Sequence, residues 1–281
     1  MPCSASVRIQ YPRLLQVIAG CAYVHTASIA ANRRYLPVNN IEAVNLSAYA
    51  FPLYVIVHFC VFLWCISLAR KYQAPGAWLT AMIAIGLVYD NFILSIGMSL
   101  GAGPLLEMLS LPRFVMHALL TPFMMIAATQ IAVAGGIRWA ATPQWRIAVW
   151  ILVVGMILLG TIEHLVGLEL YPACFDGVMR YTTSLYPAHF CFAGQVESSG
   201  GGAPIPSIVG NVLTLVVGFS LWRTSGWPWL MAGALVMFAA ASVPMKAFGM
   251  APGNAGETVL LLSYAATVYR FGRRDLVGVA A

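Results

Sequence analysis

The amino-acid sequence predicts an all-α integral membrane protein, a bundle of seven to eight transmembrane helices with its C-terminus in the cytoplasm. The first observation behind this prediction is composition. Of the 281 residues, 60% are hydrophobic and 9% are charged, whereas a soluble domain usually carries about 25% charged residues. Such a chain needs lipid around it. We therefore expect a single multi-pass transmembrane domain over residues 1–281, in the plasma or inner membrane.

The second observation is a set of apolar segments that are long enough to cross a bilayer. A transmembrane helix needs about 17 to 25 mainly apolar residues. Seven segments qualify, at about 48–69, 78–101, 114–135, 147–168, 206–222, 227–245 and 256–270. Residues 14–32 form a weaker eighth candidate, for which a signal peptide or an interfacial helix is the alternative.

The third observation is the distribution of Lys and Arg, which favours a cytoplasmic C-terminus by the positive-inside rule. The inner side then receives Arg70, Lys71, Arg138, Arg146, Arg223, Arg270, Arg273 and Arg274, and the outer side Arg113, Arg180 and Lys246. Arg33 and Arg34 are discordant if residues 14–32 span. The long loop of about 169–205 lies outside, where a disulfide between Cys174 and Cys191 is plausible.

Composition and spacing also exclude several classes of function. The basic residues lie in scattered pairs at segment ends and form no stripe with interleaved aromatic residues, so we expect no nucleic-acid partner. The sequence contains no C-x-x-C motif, and His25 and His58 stand alone in their segments. We therefore predict no metal site and no cofactor.

Asp90 lies in the middle of an apolar segment, within VYDNFILSIG. Gly86, Asp90 and Gly97 are spaced i, i+4 and i+11, which places them on one face of a helix. Small residues mark the face where membrane helices approach closely. We therefore predict that Asp90 points into the bundle, with Asn91 about 100° further round the helix.

The next apolar segment begins SLPRFVMHALLTPF, with Ser110 as the predicted N-cap. Arg113, His117 and Thr121 recur every four residues and form one polar stripe. Because the macrodipole disfavours a cation at a helix N-terminus, we expect a carboxylate or an anionic head group to hold Arg113. Pro122 inside the segment predicts a kink.

Three further polar groups fall in later segments. Gly160, Glu163 and Gly167 are predicted to share a face, which turns Glu163 inward with His164 beside it. Asn211 heads a stripe that continues with Thr214 and Gly218. Glu257 opens the last segment, where a carboxylate at a helix N-terminus is favourable.

Counted at about 1.5 Å per residue, these groups occupy the outer half of the bundle with Asp90 at the greatest depth. The inner half is nearly bare of them. The asymmetry predicts a cavity, open to the outer leaflet, that admits a membrane lipid.

The most specific hypothesis is a cyclase or isomerase that acts on an amphipathic isoprenoid or sterol-like lipid. An apolar bundle can keep a carboxyl group protonated, so Asp90 is predicted as the acid that protonates an alkene or epoxide. The predicted catalytic residues are Asp90, His117, Glu163 and His164. The predicted substrate-binding residues are Asn91, Arg113, Thr121, Asn211 and Glu257.

Three alternatives remain open from the sequence. His117, His164, Asp90 and Glu163 are acceptable zinc ligands for a metal-dependent lipid hydrolase, although H-x-x-x-H and H-E-x-x-H spacings are absent. Intramembrane acids and histidines also serve proton-coupled small-molecule carriers or receptors. Finally, the polar residues can simply hold neighbouring helices in register.

Overall fold

A computed structural model describes residues 45–198, 200 and 203–272, without the side chains of Glu163 and His164. The predicted span at residues 14–32 lies outside these residues. The described α-helices are α1 Leu46–Tyr72, α2 Ala77–Leu100, α3 Pro104–Leu120, α4 Phe123–Ala134, α5 Pro143–Leu165, α6 Ile205–Ser225, α7 Trp229–Ala241, α8 Met245–Phe248 and α9 Ala251–Gly272. Strands β1 Tyr171–Phe175 and β2 Val178–Thr182 form an antiparallel hairpin between α5 and α6.

Every predicted apolar segment within the described residues contains helix, but fewer helices meet the requirements for a span. Helices α1, α2, α5 over Pro143–Ile162, and α6 are long and apolar enough, and the bent pair α3–α4 makes a fifth if it crosses as one unit. Helix α7 has 13 residues, and polar residues lower the mean hydropathy of α9. The chain is therefore a mostly helical membrane protein, and the predicted count of seven to eight spans is not confirmed.

The predicted kink at Pro122 is confirmed. Helix α3 ends at Leu120, α4 begins at Phe123, and the two axes differ by 42°. Proline has no backbone N–H to donate and its ring crowds the preceding turn. The bend places Thr121 at the junction of the two helices.

The predicted N-cap at Ser110 is wrong. Helix α3 begins at Pro104, in the first helical position that proline favours. Ser110 lies inside the helix and donates its hydroxyl to the carbonyl oxygen of Leu106 at 2.7 Å. Arg113 therefore lies within α3 rather than at its N-terminus, so the macrodipole does not govern its placement.

The two glycines that flank Asp90 confirm the predicted close-packed face of α2. A methyl group added at Gly86 would lie 3.1 Å from Leu120 Cδ1 on α3, and one added at Gly97 would overlap the Met179 carbonyl oxygen on β2. Larger side chains would push both elements away. Asp90, between the two glycines, is 2% exposed.

The segment between α5 and α6 is tied to the helices by its hairpin. Asp176 and Gly177 connect the strands with positive φ angles of 46° and 73°, as in the type I′ turn that favours Asp-Gly. The Asp176 carboxylate accepts the backbone N–H of Ser47 at the start of α1. The anticipated disulfide between Cys174 and Cys191 is present. Neither the Asp-Gly turn nor the hairpin was predicted from the sequence.

Candidate membrane-embedded polar site

The site is built around a buried ion pair between α2 and α3. Arg113 Nε donates to Asp90 Oδ1 at 2.7 Å, and both residues are buried. Of the two partners expected for Arg113, a carboxylate or an anionic head group, the structure shows the carboxylate of Asp90. A buried pair of this kind offsets its desolvation only with good hydrogen-bond geometry. Arg113 Nη1 is buried without a hydrogen-bond partner among the described residues.

His117 follows Arg113 by one helical turn and faces the same carboxylate. Its Nε2 lies 3.7 Å from Asp90 Oδ1, and 40% of its side chain is exposed. The predicted stripe on α3 therefore exists for Arg113 and His117. Thr121 continues it into the bend, where it lines the same cavities as His117.

The second oxygen of Asp90 faces α9. Asn254 Nδ2 lies 3.4 Å from Asp90 Oδ2 and donates to Asn91 Oδ1 at 3.0 Å. Asn91 in turn donates to the carbonyl oxygen of Leu87 one turn earlier in α2, so the amide of this predicted substrate ligand is engaged by contacts within its own helix and with α9. Both oxygens of Asp90 accept hydrogen bonds, an arrangement that suits a carboxylate rather than a free proton donor.

His58, on α1, belongs to the same network. No role was predicted for it, because it stands alone in its apolar segment. Its Nδ1 lies 3.4 Å from Asn91 Nδ2, and its Nε2 lies 3.2 Å from Thr258 Oγ1 on α9. Sequence reasoning missed His58, Asn254 and Thr258. The spacing of Asn254 and Thr258, four residues apart and hence on one helical face, was the available signal.

A cavity of about 70 Å³ lies among α2, α3, α4, α6, α7 and α9 and is partly open to the surroundings. Its polar lining includes His117, Asn211, Glu257 and Tyr264. A smaller cavity of about 30 Å³ shares His117 with the first and is also lined by Asp90 and Arg113. The shared wall places the ion pair next to the larger cavity.

Glu257 is the carboxyl group on the larger cavity. Because α9 begins at Ala251, Glu257 lies in the second helical turn, and the expectation that it opens the last helix is wrong. Its Oε2 atom is buried and has no hydrogen-bond partner among the described residues. A buried polar atom without a partner costs about 1 to 3 kcal/mol, and such atoms call for an explanation such as a catalytic role.

Asn211 both lines the cavity and joins helices. Its Nδ2 donates to the carbonyl oxygen of Ala234 on α7 at 3.0 Å, and its Oδ1 is buried with no hydrogen-bond partner in the described part of the chain. One turn later, the Thr214 hydroxyl lies 2.5 Å from the hydroxyl of Tyr264. The stripe predicted on α6 therefore faces the interior, and Asn211 keeps one free acceptor for a ligand.

The predicted face on α5 is only partly present. Gly160 packs against Ala118 of α3, but α5 ends at Leu165, and Gly167 lies beyond the helix with a φ of 70°. The side chains of Glu163 and His164 lie outside the described part of the chain. Their catalytic role stays a prediction.

Metal ligation has no support within the described residues. No three of their His, Cys, Asp or Glu side chains are grouped so as to hold a metal ion. The arrangement can instead bind polar groups and move protons, since a carboxyl group and an imidazole line one cavity. The chain matches no known family model and no curated protein in sequence.

Proposed function

We propose that the protein is an integral-membrane enzyme that moves protons on a membrane lipid and thereby isomerises or cyclises an isoprenoid or sterol-like substrate. The observation that carries the proposal is Glu257 Oε2, which is buried with no hydrogen-bond partner among residues 45–198, 200 and 203–272, on the cavity that His117 also lines. A carboxyl group and an imidazole in one apolar cavity are suited to act as general acid and general base.

In this proposal the role of proton donor passes from Asp90 to Glu257. Asp90 is engaged by Arg113 on one oxygen and approached by Asn254 on the other. It lies 3.7 Å from His117, close enough to orient that imidazole and to stabilise it when charged. Asp90 is then a positioning residue, and Glu257 and His117 are the catalytic pair.

The size of the cavity limits what part of a substrate it holds. Its volume of about 70 Å³ is well below the roughly 300 to 1,000 Å³ of sites for drug-sized ligands. The cavity therefore suits the reacting end of a lipid, while the tail extends through the opening towards the surrounding bilayer. Access from the outer leaflet, with seven to eight spans and a cytoplasmic C-terminus, is part of the same proposal.

Solvent deuterium provides the test. The purified protein is incubated in D₂O with its co-purifying lipids and with a panel of polyprenyl substrates, and the products are analysed by mass spectrometry. We expect deuterium in the product, and a loss of about 100-fold or more in rate for Glu257→Gln.

The matched control is Glu197→Gln, because Glu197 is exposed and lies 3.7 Å from Lys246, in the segment outside the helices. This variant should react like the unaltered protein. The enzyme proposal fails if no lipid gains deuterium, or if Glu257→Gln reacts at the original rate.

A proton-coupled carrier is the second candidate, and one observation favours it. Polar contacts run without a break from His58 through Asn91 and Asn254 to Asp90 and Arg113, and so connect four helices. Connected intramembrane groups of this kind occur in proton relays. Substrate-driven acidification of proteoliposomes, lost in Glu257→Gln, would favour the carrier over the enzyme.

A further inference from the structure

Arg180 of β2 is a buried cation without a carboxylate of its own. It is 3% exposed, and it takes part in none of the ion pairs found among the described residues. Its Nη2 lies 3.4 Å from His189 Nδ1, and its Nε is buried without a partner in that part of the chain. A buried guanidinium without a counter-ion is costly, so its environment calls for an explanation.

The hairpin brings Arg180 close to the ion pair in the bundle. Strand β2 packs directly on α2, where the Met179 carbonyl oxygen occupies the space that a side chain at Gly97 would fill. Burial, and then the positive charge of Arg113, lower the pKa of Arg180 to about 10, while the charge of Asp90 acts in the opposite direction. Arg180 therefore remains a cation at neutral pH and lies within electrostatic reach of both partners.

Arg113 and Arg180 thus act electrostatically on each other, and Asp90 is the carboxylate paired with Arg113. Each has a buried nitrogen without a hydrogen-bond partner among the described residues, Nη1 in Arg113 and Nε in Arg180. Arg113 also lines the smaller cavity of about 30 Å³, and a cavity of about 10 to 15 Å³ already holds one water. An oxygen of a ligand head group can therefore enter beside Arg113.

We propose that Arg113 and Arg180 together bind an oxyanion, a phosphate or carboxylate group, at the head of the ligand. Its oxygens accept from the two unpaired nitrogens and neutralise the excess positive charge, in the charge-assisted hydrogen bonds for which arginine is suited. The hydroxyl group of a neutral sterol or alcohol can accept a hydrogen bond from these donors, but it carries no charge and would leave the excess positive charge uncompensated. The inference deepens the proposed function and rests on it only for the identity of the bound molecule as substrate.

The experiment measures binding to the purified full chain in a neutral maltoside detergent. The probes are dodecyl phosphate, dodecanol and inorganic phosphate, and the variants are Arg180→Gln, Arg180→Lys and, as a control, Arg223→Gln. Arg223 is an exposed arginine in the last turn of α6. We expect the affinity for dodecyl phosphate to be at least about tenfold higher than that for dodecanol, the difference that one charge-assisted hydrogen bond implies.

The affinity of each variant for dodecyl phosphate should depend on the charge that remains at position 180. Arg180→Gln should weaken binding of dodecyl phosphate by about tenfold or more, Arg180→Lys should weaken it less, and Arg223→Gln should leave it unchanged. If inorganic phosphate binds as tightly as dodecyl phosphate, the site stands and its ligand is a free oxyanion rather than a lipid head.

Three results would overturn the proposal: equal affinity for dodecanol, unchanged affinity in Arg180→Gln, or no binding of any probe. If Arg180→Gln does not fold, the comparison of dodecyl phosphate with dodecanol in the unaltered protein still tests whether the site binds an oxyanion. Glu257→Gln should retain dodecyl phosphate binding while it loses deuterium incorporation. Failure of the oxyanion site is therefore separable from failure of the catalytic proposal.

Discussion

The helix bundle has two ends that are held together in different ways. At the end that we call the apolar end, Leu68 of α1, Ala77 of α2, Leu221 of α6, Leu230 of α7 and Phe271 of α9 pack into one buried cluster. At the polar end, nearer the hairpin, the contacts are the ion pair and hydrogen bonds formed by His58, Asp90, Asn91, Arg113, Asn254 and Thr258.

This difference indicates which part of the bundle contributes to stability alone and which part also contributes to function. Between helices in lipid there is little hydrophobic driving force, so the apolar end depends on close packing. The polar end has desolvated charges, and it has buried atoms of Arg113, Asn211 and Glu257 that lack a hydrogen-bond partner within the described ranges. We therefore expect substitutions at the apolar end to change stability alone, and those at the polar end to change stability, binding and turnover.

The largest effect should come from removing one charge of the ion pair. Asp90→Asn leaves Arg113 buried beside a neutral amide, and we expect a loss of about 3 to 5 kcal/mol in the free energy of unfolding. The double variant Asp90→Asn/Arg113→Gln should recover part of this loss, since neither charge is then left alone. Denaturation in mixed detergent micelles measures both. A loss below about 1 kcal/mol, with no recovery in the double variant, would contradict a stabilising pair.

The second largest effect should come from truncating a buried side chain at the apolar end. Leu230 is fully buried, and Leu230→Ala should lower the free energy of unfolding by about 2 to 4 kcal/mol through the cavity left behind. Leu235→Ala on the same helix, where the side chain is 49% exposed, should change it little. Ligand binding should be the same in both variants. A change in affinity for Leu230→Ala would show that the two ends are not independent.

The hairpin at the polar end should make stability depend on pH. Burial, and then the charge of Arg180, lower the pKa of His189 to about 4, whereas an unfolded histidine titrates near about 6.5. The neutral form is the folded one, so this stability is complete above about pH 6.5 and is lost as the pH falls towards 4. We expect a decrease of about 2 kcal/mol from pH 7 to pH 5.

Thermal denaturation of the protein and of His189→Gln across this range isolates the effect, because carboxyl groups contribute equally to both. The decrease should be smaller in the variant. An identical pH profile in the two proteins would exclude His189 as the source.

The smallest effect concerns the hydrogen bond that reaches from the larger cavity towards the apolar end. Tyr264→Phe removes the hydroxyl that contacts Thr214 Oγ1 and donates to the Met124 carbonyl oxygen, and we expect a loss of about 1 kcal/mol. Tyr49→Phe, at an exposed tyrosine on α1, is the control. Because Glu257 and His117 stay in place, turnover should change by less than about twofold, which corresponds to about 0.4 kcal/mol in the activation barrier. Loss of turnover would extend the catalytic site to Tyr264.

Much of the polar end was predictable because it depends on helical periodicity. The spacing of Gly86, Asp90 and Gly97 predicted the close-packed face of α2, and Pro122 predicted the bend. The need of Arg113 for a carboxylate was predicted too. Its identity was not, because Asp90 and Arg113 lie on different helices, and relative rotation and depth decide which side chains meet.

Two other features of the site escaped prediction for different reasons. His58 has no charged or amide side chain at helical spacing, so the network with Asn91 and Thr258 had little local signal. Glu257 looked like a residue at a helix start because Asn254 and the preceding small residues resemble a loop. Tertiary contacts extend α9 back to Ala251 and bring Glu257 to the cavity wall.

Hydropathy and periodicity are local properties of the chain, and they were sufficient to predict a helical membrane protein with polar groups concentrated towards one end. Which of these groups pair with each other depends on contacts between distant segments. Asn254 meets Asp90 across 164 residues of sequence. Packing between helices gives both oxygens of Asp90 a partner, whereas Glu257 Oε2 has none in the part of the chain that the structure describes.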